Sequence, residues 1–125
     1  MTIAYWCVLA AGLLPYLTVG IAKWSKRYDN RNPRDYEATL EGRRKRAYFA
    51  HLNGFEVFPL FAAGVIIAQQ LHAAQSVIDS LALTFIVARL VYIGFYLADK
   101  ATLRSLAWVV GMGCSIALIV VAARA

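Results

Sequence analysis

Charge is scarce in this sequence, and a soluble domain of the same size would need more of it. Only 16% of the 125 residues are charged and 61% are hydrophobic, which argues against a water-soluble fold and for a chain solvated by lipid. Cysteine is also sparse. Cys7 and Cys114 lie far apart in apolar runs, without CxxC spacing and without a neighbouring base, so they read as small hydrophobes in helices rather than metal ligands or catalytic thiols. No heptad, internal repeat or low-complexity tract is present. Between Gln69 and Ser76 there is neither Lys nor Arg, which marks a short connection on the side of a membrane away from the bases.

What is present is a set of long apolar runs. At about 1.5 Å per residue, a run of roughly 20 residues crosses a hydrocarbon layer of ~30 Å. Four such runs are expected to form helices over about residues 2–22, 46–71, 77–98 and 103–123, in one membrane domain spanning 1–125. The fold class expected is all-α, a four-helix transmembrane bundle. The first run resembles a signal peptide in length, but its bases Lys23, Lys26 and Arg27 follow the apolar core, as expected for a retained anchor. Gly12 and Pro15 within it permit close packing or a kink, and Pro59 is expected to bend the second run one turn beyond Glu56.

The net charge of +6 is concentrated in one place. Nine of the thirteen Lys and Arg residues fall between Lys23 and Arg46, interleaved with Asp29, Asp35, Glu37 and Glu41. Such a segment reads as a loop facing the cytoplasm and anionic headgroups, not as a nucleic-acid site. Asp29 to Pro33 is turn chemistry, and His72 reads as an interfacial residue in the opposite turn. With Lys100 and Arg104, eleven bases lie on the inner side, so both termini are expected outside.

Polar residues inside the runs carry the functional signal. An ionisable side chain at membrane depth costs on the order of 2.5–3.5 kcal/mol on insertion scales, so Glu56 and Arg89 need a partner or a wet cavity. Asn53 and Glu56, three apart, share a face of the second helix. Arg89, Tyr92 and Tyr96, spaced three and four apart, form one stripe on the third. Antiparallel packing brings both faces to one depth, where a Glu56–Arg89 ion pair would offset the cost of burying either charge. Arg104, opening the fourth helix, adds a guanidinium near the two phenols; its alternative role is snorkelling to headgroups. Together these donors suit a carboxylate-bearing ligand or a bound thiolate.

Three segments carry a resemblance: NGFEVFPLF from Asn53 to Phe61, ARLVYIGFY from Ala88 to Tyr96, and the pair Arg104-Ser105. Asn, Glu three later and Pro three after that, followed by Arg-x-x-Tyr-x-x-x-Tyr, resembles the MAPEG family, the membrane-associated proteins of eicosanoid and glutathione metabolism. The resemblance implies a homotrimer of left-handed four-helix bundles, with glutathione as cosubstrate between subunits near the cytosolic side. Asn53, Glu56, Arg89, Tyr92 and Tyr96 would frame the tripeptide, and Arg104 would be catalytic, stabilising its thiolate. The implied activity is that of a membrane transferase or peroxidase acting on hydrophobic electrophiles or lipid hydroperoxides; the alternative is a non-catalytic lipid-binding or scaffold member. Family enzymes commonly carry an arginine where this chain has Phe49 and an aromatic where it has Val57. Arg46, one turn before Phe49, is the residue expected to compensate in ligand binding. The short loops resemble bacterial members, which suggests an inner-membrane location.

Overall fold

The computed structural model describes residues 1–125, and its elements are all helical: α1 (Ile3–Lys23), α2 (Pro33–Ala38), α3 (Gly42–Gln70), α4 (Gln75–Leu97) and α5 (Ala101–Ala122). Four of them, α1, α3, α4 and α5, are long and apolar enough to cross a membrane. Helix α3 starts earlier than its apolar run, at Gly42. Its 29 residues span about 43 Å at 1.5 Å each, more than a ~30 Å hydrocarbon layer. The surplus carries Arg43, Arg44, Lys45 and Arg46, helical residues that hydropathy does not reveal. Pro59 lies inside α3, which continues through it.

The four long helices run up and down, with α1 packed most extensively on α3 and α4 on α5; α3 also lies against α5, and α1 against α4. Across the middle, the Phe61 and Phe85 rings stack with centroids 3.8 Å apart, both fully buried. Elsewhere the contacts are made by small residues. Ala4, Cys7, Ala11, Ala68, Ala82, Cys114 and Ala122 fill the core around Val57, Phe61, Val65, Ile78, Phe85 and Leu118. Large apolar side chains such as Leu9, Leu13, Val87, Leu106 and Val109 point outward. Small residues inside and bulky ones outside suit helices that associate by close backbone approach in lipid. At Gly54 the approach to Pro15 of α1 is so close that an added Cβ would lie 2.7 Å from the ring Cγ. Gly64 makes a similar approach to α5, at 3.1 Å from the Leu118 Cβ.

Both tight turns end in the same motif. After α3, the His72 N–H donates to the Gln69 carbonyl and the Ala73 N–H to that of Ala68, with His72 left-handed at φ 56°. After α4, Asp99 donates to Tyr96 and Lys100 to Phe95, with Asp99 at φ 59°. These are Schellman closures with a side chain where glycine is usual. At this end of α3 and α4, away from the bases, Asp79 Oδ1 accepts from the Ala4 N–H and from Gln75 Nε2, each at 2.9 Å. It thereby caps α1 from α4. Gln69 Nε2 donates to Thr2 Oγ1 at 2.8 Å and ties α3 to the same helix start.

The basic segment expected as a loop is partly folded. Pro33 opens α2 and Asp35 sits in its first turn, both favourable at a helix start. Glu37 is buried and pairs with Lys23 at 3.1 Å. Leu40 packs with Ala22 and Ala47, so the segment closes back over the basic end of the bundle. Amphipathicity over six residues is too short to register as a helical period, which is why composition alone read it as loop.

Candidate functional site

The polar residues of α3, α4 and α5 meet at the basic half of the bundle, and alanines make the meeting possible. Ala50 on α3 and Ala107 on α5 pack against Tyr92 of α4, letting that large ring sit buried between helices. Asn53 lies three residues beyond Ala50, and Arg104 three before Ala107, so both flank the same ring.

From there a strip of alternating cations and rings follows α4. The Arg89 guanidinium stands 4.1 Å from the centroid of the Tyr92 ring. Tyr92 meets Tyr96 edge to face at 5.6 Å. Arg104, reaching over from α5, lies 4.4 Å from the Tyr96 centroid. Cation–π contacts of this kind contribute about 0.5–2 kcal/mol each, rising as water is excluded, and fix where the guanidinium groups point. Neither arginine has a carboxylate within ion-pair distance; the chain's one salt bridge is Lys23–Glu37.

The Glu56–Arg89 ion pair expected from the sequence is therefore not formed. Glu56 is exposed on α3 and its Oε2 accepts from Asn53 Nδ2 at 2.9 Å. Arg89 is 4% exposed and turns inward. It borders an interior cavity of about 10 Å³ with Ala11, Pro15, Thr18, Ala50 and Gly54, room for about one water. Glu56 stays on the exposed side of α3, because Val57 and Phe61 occupy the face turned to the core, while Arg89 is buried between the helices.

Arg46, expected to help bind a ligand, reaches the end of α4. Its Nη2 donates to the carbonyl of Leu97 at 3.3 Å, at the end of α4, where unpaired carbonyls and the helix dipole favour a cation. Its Nε–H is buried and without a partner. Phe49 is exposed, with the Lys45 ammonium 5.8 Å from its centroid, while Val57 is buried in the core.

His51, a polar residue within the same apolar run, finds its partner on α1. His51 Nδ1 lies 2.6 Å from the Pro15 carbonyl, so that nitrogen carries the proton and joins α3 to α1. Thr18 Oγ1 donates to the same oxygen at 2.8 Å. The proline in α1 was the only sequence signal of irregular backbone there.

The site also fits a peptide-like thiol ligand on chemical grounds. Asn53 Oδ1 is buried without a hydrogen-bond partner, an acceptor left for an amide or ammonium donor. Glu56 presents a carboxylate for an ammonium group. Arg104, half-buried over Tyr96, presents a cation for carboxylate or thiolate, and Arg89 adds positive charge from the interior behind it. Glutathione carries all of these groups. On the α1/α3 face, an open groove of about 530 Å³ is lined by apolar side chains, among them Tyr5, Leu9, Leu13, Phe58 and Ile66.

A bundle of four apolar helices, each long enough to cross a membrane, defines a multi-pass membrane protein, with the cationic and aromatic strip as its candidate site. Comparison with protein-family models matches residues 3–124 to the MAPEG family, and the chain belongs to that family. No curated protein matches it significantly.

Proposed function

We propose that the protein is a glutathione-dependent membrane transferase or peroxidase acting on hydrophobic electrophiles or lipid hydroperoxides. The observation that carries this reading is the strip Arg89–Tyr92–Tyr96–Arg104, two guanidinium groups without an internal counter-ion, beside the Asn53–Glu56 pair. Positive charge in a site of low dielectric favours the deprotonated form of a bound thiol. In this reading Asn53, Glu56, Arg89, Tyr92 and Tyr96 hold the tripeptide, Arg46 serves its rim, and Arg104 stabilises the thiolate.

In the transferase reaction the thiolate sulfur forms a bond to an electrophilic carbon, and the displaced electron pair leaves on the departing group. With a hydroperoxide, sulfur attacks the terminal oxygen and the O–O bond breaks. The alkoxide takes a proton, and a second glutathione converts the sulfenic acid to disulfide and water. The apolar groove on α1 and α3 opens to the bilayer in the half of the bundle away from the bases, so a substrate entering there would reach the thiolate from that side. Because Glu56 is exposed on the single subunit, a neighbouring copy in a homotrimer would close the site over it. The basic end is proposed to face the cytoplasm, with both termini outside, in a bacterial inner membrane.

Calorimetric titration of glutathione into the detergent-solubilised protein tests the reading. Saturable binding near one site per subunit, weakened in Arg104→Ala and Glu56→Ala, with thiolate absorbance lost in Arg104→Ala, is the expected result. No binding up to ~10 mM, an affinity worth less than ~3 kcal/mol, would overturn it. The second reading, a non-catalytic lipid-binding or scaffold member, is favoured by Phe49, an exposed ring where family enzymes commonly hold an arginine. Lipid binding without thiolate formation would select it.

A further inference from the structure

We infer that the cleft formed by Trp24, Ser25, Lys26 and Arg44 is a binding site for the phosphate headgroup of an anionic glycerophospholipid, separate from the intramembrane site. The bases of the Lys23–Arg46 segment are unequally engaged. Lys23 is engaged by Glu37, Lys45 by the ring of Phe49, and Arg46 by the Leu97 carbonyl. The remaining bases have no carboxylate partner. Two of them, Lys26 and Arg44, converge on one cleft of about 430 Å³, whose other walls are Ser25 and Trp24 and which contains no acidic residue. The adjoining cleft shares Ser25 and Arg44 but includes Glu41, so its charge is partly compensated.

Position selects a lipid over a soluble anion. Helix α1 ends at Lys23, and Trp24, its C-cap, is 83% exposed. An exposed indole where an apolar helix leaves the membrane is placed at headgroup level, one end apolar and the other wet. The chain around it is held in shape: Ser25 N–H donates to the Lys23 carbonyl at 2.8 Å, Tyr28 N–H to that of Ser25 at 3.2 Å, and Arg27 N–H to Ser25 Oγ at 3.2 Å. The Ser25 hydroxyl proton remains free to donate. A phosphate diester can thus accept from Lys26, Arg44 and Ser25 while its glycerol backbone lies against the indole. A choline group would find two cations and no carboxylate, so zwitterionic lipid is disfavoured.

The test is lipid titration followed by native mass spectrometry on the detergent-solubilised protein, with phosphatidylglycerol and phosphatidylcholine of identical chains. The variants are Lys26→Gln/Arg44→Gln and, as a control removing the same charge elsewhere in the segment, Arg31→Gln/Arg34→Gln. Circular dichroism establishes that each remains helical. The parent is expected to prefer phosphatidylglycerol, the cleft variant to lose about 25-fold of that preference at about fivefold per base touching the phosphate, and the control, whose bases lie outside the cleft, to lose clearly less. Equal losses in both variants would overturn the inference in favour of diffuse attraction to the basic segment. So would equal binding of the two lipids by the parent, or displacement of phosphatidylglycerol by millimolar inorganic phosphate. Glutathione titration of the same variants separates the two sites, since binding there is expected to be unchanged.

Discussion

Replacing Gly54 by alanine adds one methyl group at the tightest approach between α1 and α3. The new Cβ would stand 2.7 Å from Pro15 Cγ and 3.3 Å from Pro15 Cβ. Carbon atoms prefer about 3.5–4.0 Å, so the helices must part by about 1 Å, and a buried proline ring on a helical backbone cannot rotate aside. Overpacking of this kind costs about 1–3 kcal/mol. Alanine is the better helix former by about 1 kcal/mol, which offsets part of the loss and leaves a net destabilisation of up to about 2 kcal/mol. Gly94 provides the opposite case, since nothing lies within 4 Å of its added Cβ. Gly94→Ala is expected to gain about 0.5–1 kcal/mol from helix propensity alone. Unfolding both variants in mixed micelles by added denaturing detergent, followed by circular dichroism, measures the difference. Gly54→Ala stabilised as much as Gly94→Ala would refute the close approach. Its neighbours Asn53 and Glu56 also tie the outcome to ligand binding, which is expected to weaken as α3 shifts.

Further expectations are separable. Arg89→Met removes a buried cation that has no carboxylate partner and keeps most of its volume, so stability is expected to change by less than about 1 kcal/mol while glutathione binding is lost; calorimetry and detergent unfolding on one preparation read both. Asp79→Ala removes the acceptor of the Ala4 N–H at the start of α1, where Thr2 still caps Tyr5, a loss of about 1 kcal/mol that a lowered melting temperature would report. Asp99→Gly relieves a left-handed backbone at φ 59° and is expected to raise stability by up to about 1 kcal/mol, whereas Asp99→Val should lower it.

Much of the candidate site was legible before any fold was known, because spacing along a helix constrains which residues share a face. Arg89, Tyr92 and Tyr96 do form one strip, and Arg104 joins it from the next helix. The partner of Glu56 was not legible. A period of three or four gives the residues on a face but not the rotation of that face about the bundle, and here Val57 and Phe61, not Glu56, turn to the core. Arg46 shows the same limit, its anchor on Leu97 being 51 residues away in the chain.

The division between sequence and tertiary structure follows from the solvent. Crossing a membrane is decided locally, residue by residue, by transfer out of water, so four apolar runs determined four spanning helices, and the concentration of bases marked one end of the bundle. Lipid is as apolar as the protein core, so hydrophobicity cannot distinguish the face that meets lipid from the face that meets another helix. That choice was made by shape. Gly54 against Pro15, Gly64 against Leu118, and the alanines beside Tyr92 set the helix pairs and rotations. Those rotations left Glu56 with Asn53, turned Arg89 inward, and folded the Lys23–Glu37 pair over the basic end.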